Sequence, residues 1–260
     1  MKVILCTILL IGTAMAASIV PKIVGGKPAQ PHEFPYMVSL QWVSPKKTHF
    51  CGGSLLSERW VLTAGHCVHA LKGKDEVVAG AHSIKSPDQY EQRRKVLRTF
   101  VHEDYSGDVG PHDVGLVEVS EPFEFNEYVH SVNLPSKDTF YPAGPATLSG
   151  WGSISNGFFP SYPDKLLKAD LPVQTADFCF TNYPGTPMHE SNICAGDLDG
   201  SLAACSGDSG SPLTVNNAEG KAEVYGIASW TWMPCGTPGK TGVFVNVSFY
   251  LKWLKEKMNN

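Results

Sequence analysis

Residues 60–67 read WVLTAGHC, a short apolar run that ends in a histidine followed directly by a cysteine. Trp60, Val61 and Thr63 are residue types enriched in β-strands. The glycine before His66 is typical of the point where such a run ends. The segment therefore predicts a buried strand that places His66 at its end, and a disulfide from Cys67 would fix the backbone there.

Similar runs recur along the whole chain of 260 residues, which is 42% hydrophobic and 18% charged and contains 25 glycines and 19 prolines. Short apolar runs between turn residues predict a mostly β protein. Residues 121–135 contain few apolar residues, which indicates that the chain crosses here from one half of the protein to the other. The predicted strands lie at 33–43, 60–67, 76–84, 95–102, 113–119, 146–152, 166–174, 211–215, 224–230 and 242–247.

Only the C-terminal end, SFYLKWLKEKM at 248–258, has the periodicity of a helix. Tyr250, Leu251, Leu254 and Met258 would share one apolar face, and Ser248 is the expected N-cap. The sequon at Asn246 lies where the last strand meets this helix. We therefore expect it to carry no glycan.

Residues 1–16, MKVILCTILLIGTAMA, have a basic start, an apolar run and a small-x-small end. This pattern is typical of a secretory signal peptide, so we expect a secreted, extracellular protein. A membrane anchor is the alternative interpretation, but the apolar run is too short to span a bilayer.

Seven cysteines are present, and Cys6 would leave with the signal peptide. The remaining even set in an oxidising compartment predicts three disulfides, with fifteen possible pairings. No CxxC or HExxH spacing is present, so no metal site is predicted. The six cysteines are Cys51, Cys67, Cys179, Cys194, Cys205 and Cys235.

Without residues 1–22 the chain has 19 basic and 25 acidic residues, a net charge of −6. This balance argues against nucleic-acid binding.

Ser209 lies in CSGDSGSP at 205–212, a glycine-flanked turn. A serine hydroxyl becomes a nucleophile only when a base takes its proton and a third group orients that base. His66 is the candidate base, although a lone histidine is more often a surface or hydrogen-bonded residue. Asp113 begins the apolar run DVGLVEV and is a better orienting group than Asp104 or Asp108, which lie in polar loops.

Taken together, these segments resemble the chymotrypsin-family (trypsin-like) serine endopeptidases over essentially all of residues 23–260. The matching motifs are IVGGKPAQPHEFPYMVSL, CGGSLLSERWVLTAGHC, HDVGLVEV, LSGWG, ICAGDLDGSLAACSGDSGSPL, GIASW and GVFVNVSFYLKWL. The resemblance implies an all-β fold of two packed six-stranded antiparallel β-barrels with a C-terminal helix. It places the N-terminal barrel at about 23–130, the C-terminal barrel at about 131–247 and the helix at about 248–258.

The resemblance also implies residue roles. Ser209 would be the nucleophile, His66 the general base and Asp113 the buried acceptor that holds the imidazole. The backbone N–H groups of Gly207 and Ser209 would form the oxyanion hole. No cofactor is expected.

Asp208 is too close to Ser209 along the chain to orient the base. The resemblance implies instead that it pairs with a new N-terminus. Cleavage after Lys22 would free the ammonium of Ile23 to meet Asp208 in the protein interior. We therefore expect a zymogen with an activation propeptide at residues 17–22 and an activating trypsin-like protease.

The implied disulfides are Cys51–Cys67, Cys179–Cys194 and Cys205–Cys235. Ala81 stands where calcium-binding relatives have a carboxylate, so no calcium site is expected. Ser211 stands where many relatives have glycine and has no evident role.

The implied specificity pocket has no acidic residue at its base, because Ala203 and Ala204 occupy it. Thr231 would obstruct the mouth where a deep pocket needs glycine, while Gly242 leaves the opposite wall open. Ser229 and Trp230 match the strand that aligns the substrate. These residues predict cleavage after small or medium apolar side chains, with chymotrypsin-like cleavage after Leu or Phe as the alternative.

The expected partners are protein or peptide substrates, the activating protease and protein protease inhibitors, and we expect a monomer. A non-catalytic binding module with the same fold is an alternative function. Such a module usually lacks the nucleophile or the base, and this chain has both. A lectin-like or inhibitor module would explain export and disulfides, but not the catalytic motifs.

Overall fold

The computed structural model describes residues 23–136, 144–155, 160–183, 185–186 and 188–259. The expected signal peptide and propeptide, including Lys22, lie outside the described residues. The elements are β1 (Lys27–Pro28), β2 (Met37–Trp42), β3 (Thr48–Leu55), β4 (Trp60–Thr63), α1 (Gly65–His69), β5 (Glu76–Ala79), β6 (Gln92–Val101), β7 (Gly115–Val119), β8 (Pro145–Gly150), β9 (Leu167–Pro172), α2 (Ala176–Thr181), β10 (Asn192–Ala195), β11 (Pro212–Asn216), β12 (Ala222–Thr231), β13 (Gly242–Asn246), a 3₁₀ turn (Val247–Tyr250) and α3 (Leu251–Met258).

The first half of the protein is a closed antiparallel barrel in the order β2-β3-β4-β7-β6-β5. Its interior is filled by apolar side chains such as Val38, Leu40, Val61 and Leu116, which have no exposed surface. Burial of this apolar surface is the main stabilising contribution to such a core. The barrel therefore gives a rigid base for the residues that follow β4 and precede β7.

The second half is an antiparallel sheet in the order β1-β9-β8-β11-β12-β13-β10. Strands β8 to β13 correspond to the expected second six-stranded barrel. A bridge between Val173 and Ala195 brings the ends of β9 and β10 together. The additional strand β1 pairs with β9. Residues 27–28 thus lie on the second sheet, although the predicted boundary placed them with the first barrel.

The chain passes between the two sheets within residues 121–135. The N–H of Val132 donates to the carbonyl of Leu55 in β3 at 2.9 Å. The next residue, Asn133, pairs with Glu223 in β12. Adjacent residues of the crossing are therefore hydrogen-bonded to β3 of the barrel and to β12 of the second sheet.

The prediction of Ser248 as the helix N-cap is wrong. A 3₁₀ turn precedes α3, and the Asn246 side chain caps it by accepting from the Ser248 N–H at 3.1 Å. The predicted apolar face is confirmed, because Tyr250 and Leu254 are buried in the core. Asn246 is only 7% exposed, which supports the expectation that its sequon carries no glycan.

Two further helices, α1 and α2, were not predicted. They have five and six residues. Such lengths are too short to give a periodic apolar pattern. Among the described residues, no helix has the length and apolarity required to cross a membrane.

Candidate active site

His66 lies in the first turn of α1, directly after β4. Its position depends on Gly65, because a Cβ at that residue would lie 3.1–3.2 Å from Tyr105, Val101 and Asp113. The adjacent Cys67 forms a disulfide with Cys51 of β3, as the resemblance implied. Strand, helix and disulfide together fix the backbone that carries the imidazole.

Asp113 is 1% exposed and accepts three hydrogen bonds. Its Oδ1 accepts from the His66 backbone N–H at 2.8 Å. Its Oδ2 accepts from His66 Nδ1 at 2.8 Å and from Ser229 Oγ at 2.6 Å. Because Nδ1 donates to the carboxylate, Nε2 is left as the imidazole's acceptor. Sequence analysis assigned Ser229 to the pocket and missed this contact, which only the tertiary fold creates.

Ser209 lies in the turn before β11, and the first barrel holds this turn in place. The carbonyl of Ser209 accepts from the Gly52 N–H at 2.8 Å. A Cβ at Gly210 would lie 2.2 Å from Thr63 Oγ1 and 3.3 Å from the nitrogen of Ala64. We call the turn that carries Ser209 the serine turn. Since Ala64 is the N-cap of α1, the serine turn packs against the N-terminal end of the helix that carries His66.

In this structure Ser209 Oγ and His66 Nε2 form no hydrogen bond within the described residues. The contact of His66 Nε2 is Cys67 Sγ at 3.6 Å. Catalytic hydrogen bonds are often long without substrate and shorten when it binds. The structure thus packs the turn that carries Ser209 against the helix that carries His66, with no hydrogen bond between these two side chains among the described residues.

Gly207 has a φ of +93°, a conformation that favours glycine. A Cβ there would lie 2.9 Å from Tyr162 Cε1. Its carbonyl faces His49 Nε2 at 3.1 Å. Burial lowers the pKa of His49 to about 4, so this imidazole is neutral at physiological pH. No sequence motif identified His49 as part of the site.

Asp208 is buried beneath the serine turn, with 1% of its surface exposed. Its carboxylate accepts from the Gly152 N–H at 2.9 Å and from the Cys205 N–H at 3.0 Å. Burial raises the pKa of Asp208 to about 7, although these two N–H donors act in the opposite direction.

The segment that begins at Ile23 is inserted into the second sheet. Ile23 has no exposed surface and packs in that sheet's apolar core. The Ala203 N–H donates to the carbonyl of Val24 at 3.1 Å. A Cβ at Gly25 would lie 1.9 Å from the carbonyl oxygen of Ser201, so only glycine fits.

A cavity of about 170 Å³ opens beside Ser209. Thr231 and Ala204 line it, as expected, together with Met233, which sequence analysis missed. Ala203 and Gly242 do not line it: Ala203 is 1% exposed, and a Cβ at Gly242 would lie 3.3 Å from Ala204 Cβ. The lining residues are Ala204, Cys205, Ser206, Asp208, Ser209, Ala228, Ser229, Trp230, Thr231, Met233 and Val243.

The remaining two disulfides, Cys179–Cys194 and Cys205–Cys235, have the implied pairing. In the part of the chain that the structure describes, one group of His, Cys, Asp or Glu side chains is compact enough to bind a metal. It consists of Cys51, His66 and Cys67. Its two sulfurs are joined in a disulfide, which leaves no thiolate ligand.

A closed barrel packed beside a second antiparallel sheet, with a serine turn facing a histidine–aspartate pair, is the architecture of the two-barrel serine endopeptidases. The sequence model of the Trypsin family matches residues 23–254, and the chain belongs to this family. Its relatives identify it as a serine endopeptidase of the trypsin-like type.

The similar proteins include Lectizyme of Glossina austeni, 37% identical over 253 residues that cover 92% of this chain and 87% of the relative. Trypsin-1 of Salmo salar is 36% identical over 252 residues, 96% of each chain. Transmembrane protease serine 11G of Mus musculus is 34% identical over 251 residues, 95% of this chain and 58% of the relative.

Proposed function

We propose that the protein is a secreted zymogen whose active form cleaves peptide bonds through an acyl-enzyme. Ser209 is the nucleophile, His66 the base and Asp113 the group that orients the base. The main support for these roles is that Asp113 accepts three hydrogen bonds. The His66 backbone N–H and Ser229 Oγ orient the carboxylate so that it also accepts from His66 Nδ1, which leaves Nε2 to take the serine proton.

In the first step, Ser209 Oγ attacks the substrate carbonyl while its proton moves to His66 Nε2. Asp113 stabilises the imidazolium that results. His66 then gives the proton to the leaving amine, and an ester to Ser209 remains. Water, deprotonated by the same imidazole, hydrolyses this ester and restores the serine.

The oxyanion of each tetrahedral intermediate is bound by the backbone N–H groups of Gly207 and Ser209. Neither N–H donates to another described residue, whereas those of Asp208, Gly210 and Ser211 all donate within the protein. Two unpaired donors in one turn are suited to an anionic oxygen.

The surroundings of Ile23 and Asp208 support activation by cleavage after Lys22. Ile23 has a φ of +60°, which is strained for a β-branched residue. Cleavage removes the preceding carbonyl carbon that defines this torsion and creates an ammonium. The neighbouring segment is bound at Ala203, two residues before the Cys205 N–H that contacts Asp208. An ion pair between Ile23 and Asp208 would hold the serine turn in its active arrangement.

Specificity for small or medium apolar side chains is supported by the cavity lining. Thr231, Met233 and Ala204 all line the cavity. Met233 is 46% exposed and Ala204 is 5% exposed. Among the described residues that line the cavity, the only acidic one is Asp208, whose carboxylate is bound by Gly152 and Cys205. A lysine or arginine of the substrate would thus lack a free counter-charge. Cleavage after Leu or Phe is the alternative.

The proposed setting is extracellular, with a trypsin-like activator, protein or peptide substrates, protein inhibitors and a monomeric enzyme. The disulfides support it, since such bonds persist outside the cytosol.

The test is hydrolysis of a peptide library by the protein after treatment with trypsin. Ser209→Ala should abolish cleavage, and Ser211→Ala, a change of a buried serine two residues away, should retain it. The library should show cleavage after apolar residues. Equal hydrolysis by wild type and Ser209→Ala would refute the assignment of the nucleophile.

A further inference from the structure

A buried hydrogen-bond path begins on the outer strand β6 of the first barrel. Arg93 Nη1 donates to Gln41 Oε1 at 3.0 Å. Gln41 Nε2 in turn donates to Ser39 Oγ at 3.1 Å. Gln41 is 2% exposed and Ser39 is not exposed at all. Neither side chain can therefore exchange its partner for bulk water.

The path continues to the serine turn of the second sheet. Ser39 Oγ lies 2.8 Å from His49 Nδ1, and His49 Nε2 lies 3.1 Å from the carbonyl oxygen of Gly207. Four hydrogen bonds in series thus join an arginine near the surface to the loop that carries the proposed oxyanion donors.

The two ends of the path fix the same direction for every donor, because Arg93 can only donate and the carbonyl of Gly207 can only accept. A guanidinium can only donate, so Gln41 presents its oxygen to Arg93 and its NH₂ to Ser39. Because Ser39 Oγ accepts from that NH₂, its own proton is available to His49 Nδ1. His49 Nδ1 then accepts, and the single proton of the neutral ring lies on Nε2, where it donates to Gly207.

We propose that Arg93 and Gln41 are positioning residues for the oxyanion loop, which they orient by fixing the tautomer of His49. The inference rests on the proposed function, in which Gly207 supplies an oxyanion donor. With the opposite tautomer, His49 Nε2 would present a lone pair to the Gly207 carbonyl and repel it. The Gly207 N–H would then be less well oriented toward the developing charge.

Arg93 is held in place for this role. Its Nη2 donates to Glu91 at 2.9 Å, and its Nη1 lies 3.3 Å from Glu76. The Glu91 side chain is 5% exposed. Because two carboxylates bind the planar guanidinium, the orientation of Arg93 at this end of the path is fixed.

The first measurement is the tautomer of His49 in the resting protein, read from its imidazole ¹⁵N resonances. The signal is assigned by its absence in His49→Gln. In the wild type, Nε2 should be protonated and Nδ1 not. In Gln41→Met, which removes the donor to Ser39, and in Arg93→Met, only the Gly207 carbonyl still favours a proton on Nε2, so the tautomer with its proton on Nδ1 should gain population. Arg93→Lys should restore the wild-type tautomer in part.

The second measurement is kinetics of the activated enzymes on one peptide substrate. Gln41→Met and Arg93→Met should lower kcat by about 2- to 15-fold, the factor that one neutral hydrogen bond is worth, with little change in KM. Arg98→Met is the matched control, because this β6 arginine contacts Glu118 and not the path. The Arg93 side chain is 24% exposed, so we expect Arg93→Met to fold even if the variant at the buried Gln41 does not.

The proposal is overturned if His49 stays protonated at Nε2 in Arg93→Met, or if kcat matches that of Arg98→Met. An inactive wild type would refute the proposed function instead. The tautomer measurement needs no turnover and still decides whether Arg93 and Gln41 control His49.

Discussion

Two buried carboxylates, Asp113 and Asp208, lie near the serine turn in different surroundings. Asp113 accepts three hydrogen bonds, two from His66 and one from Ser229. Asp208 has two backbone N–H donors, and burial raises its pKa to about 7. A buried acid of this kind becomes fully charged at neutral pH only when a cation is supplied.

The uncleaved protein should therefore lose stability as the pH rises from about 4 to about 7. Over this range the folded state keeps a proton on Asp208 that the unfolded state has released, so folding weakens as the pH rises. The loss is on the order of 4 kcal/mol. Urea unfolding at each pH measures it, with Asp208→Asn as the reference.

Asp208→Asn should lack this component, and the cleaved wild type should show a smaller slope because the Ile23 ammonium favours the ionised acid. Identical pH dependence in wild type and Asp208→Asn would contradict the account of Asp208.

Because Thr231 lines the cavity, Thr231→Gly should raise kcat/KM for a Phe substrate relative to an Ala substrate by removing a branched side chain from the space beside Ser209. Each methylene that gains access is worth about 10- to 200-fold in discrimination. The exposed Thr99 of β6 gives the control variant Thr99→Gly. An unchanged Phe-to-Ala ratio would mean that Thr231 does not limit the pocket.

Among the structural elements, two disulfides close loops of nearly equal size but differ in their distance from His66. Cys51–Cys67 joins β3 to α1, beside His66, and Cys179–Cys194 joins α2 to β10. Their sequence separations are 16 and 15 residues. The chain-entropy model gives both about 3 kcal/mol of stabilisation.

Replacing either pair with alanine should thus lower the free energy of unfolding by a similar amount. Only the loss of Cys51–Cys67 should also reduce kcat strongly, since it releases the backbone beside His66. Chemical denaturation and steady-state kinetics on the two double variants measure this. A kcat that falls equally in both variants would show that Cys51–Cys67 has no specific effect on His66.

Strand β3 shows why part of the fold was not predicted. Its two central glycines, Gly52 and Gly53, look like a turn in the sequence. In the fold, a Cβ at Gly52 would lie 2.1 Å from Ser211 Oγ, and one at Gly53 would lie 2.9 Å from Val61 Cγ1. The glycines are therefore required by close packing between elements, which no local pattern reveals.

For the molecule as a whole, the motifs around His66, Asp113 and Ser209 were recognisable because each lies within one short segment. His49, Met233 and the Ser229 contact were not, because they reach the site from distant parts of the chain. The two halves meet where Gly52 of the barrel donates to Ser209 of the second sheet. The site is therefore a property of the packed pair rather than of either half.

The most direct test of the account is to treat the protein with a phosphonate serine-hydrolase probe before and after cleavage between Lys22 and Ile23, and to locate the adduct by mass spectrometry. We expect one covalent adduct on Ser209, formed rapidly only after cleavage and absent in His66→Ala. An adduct on another residue, or equal labelling before and after cleavage, would contradict it.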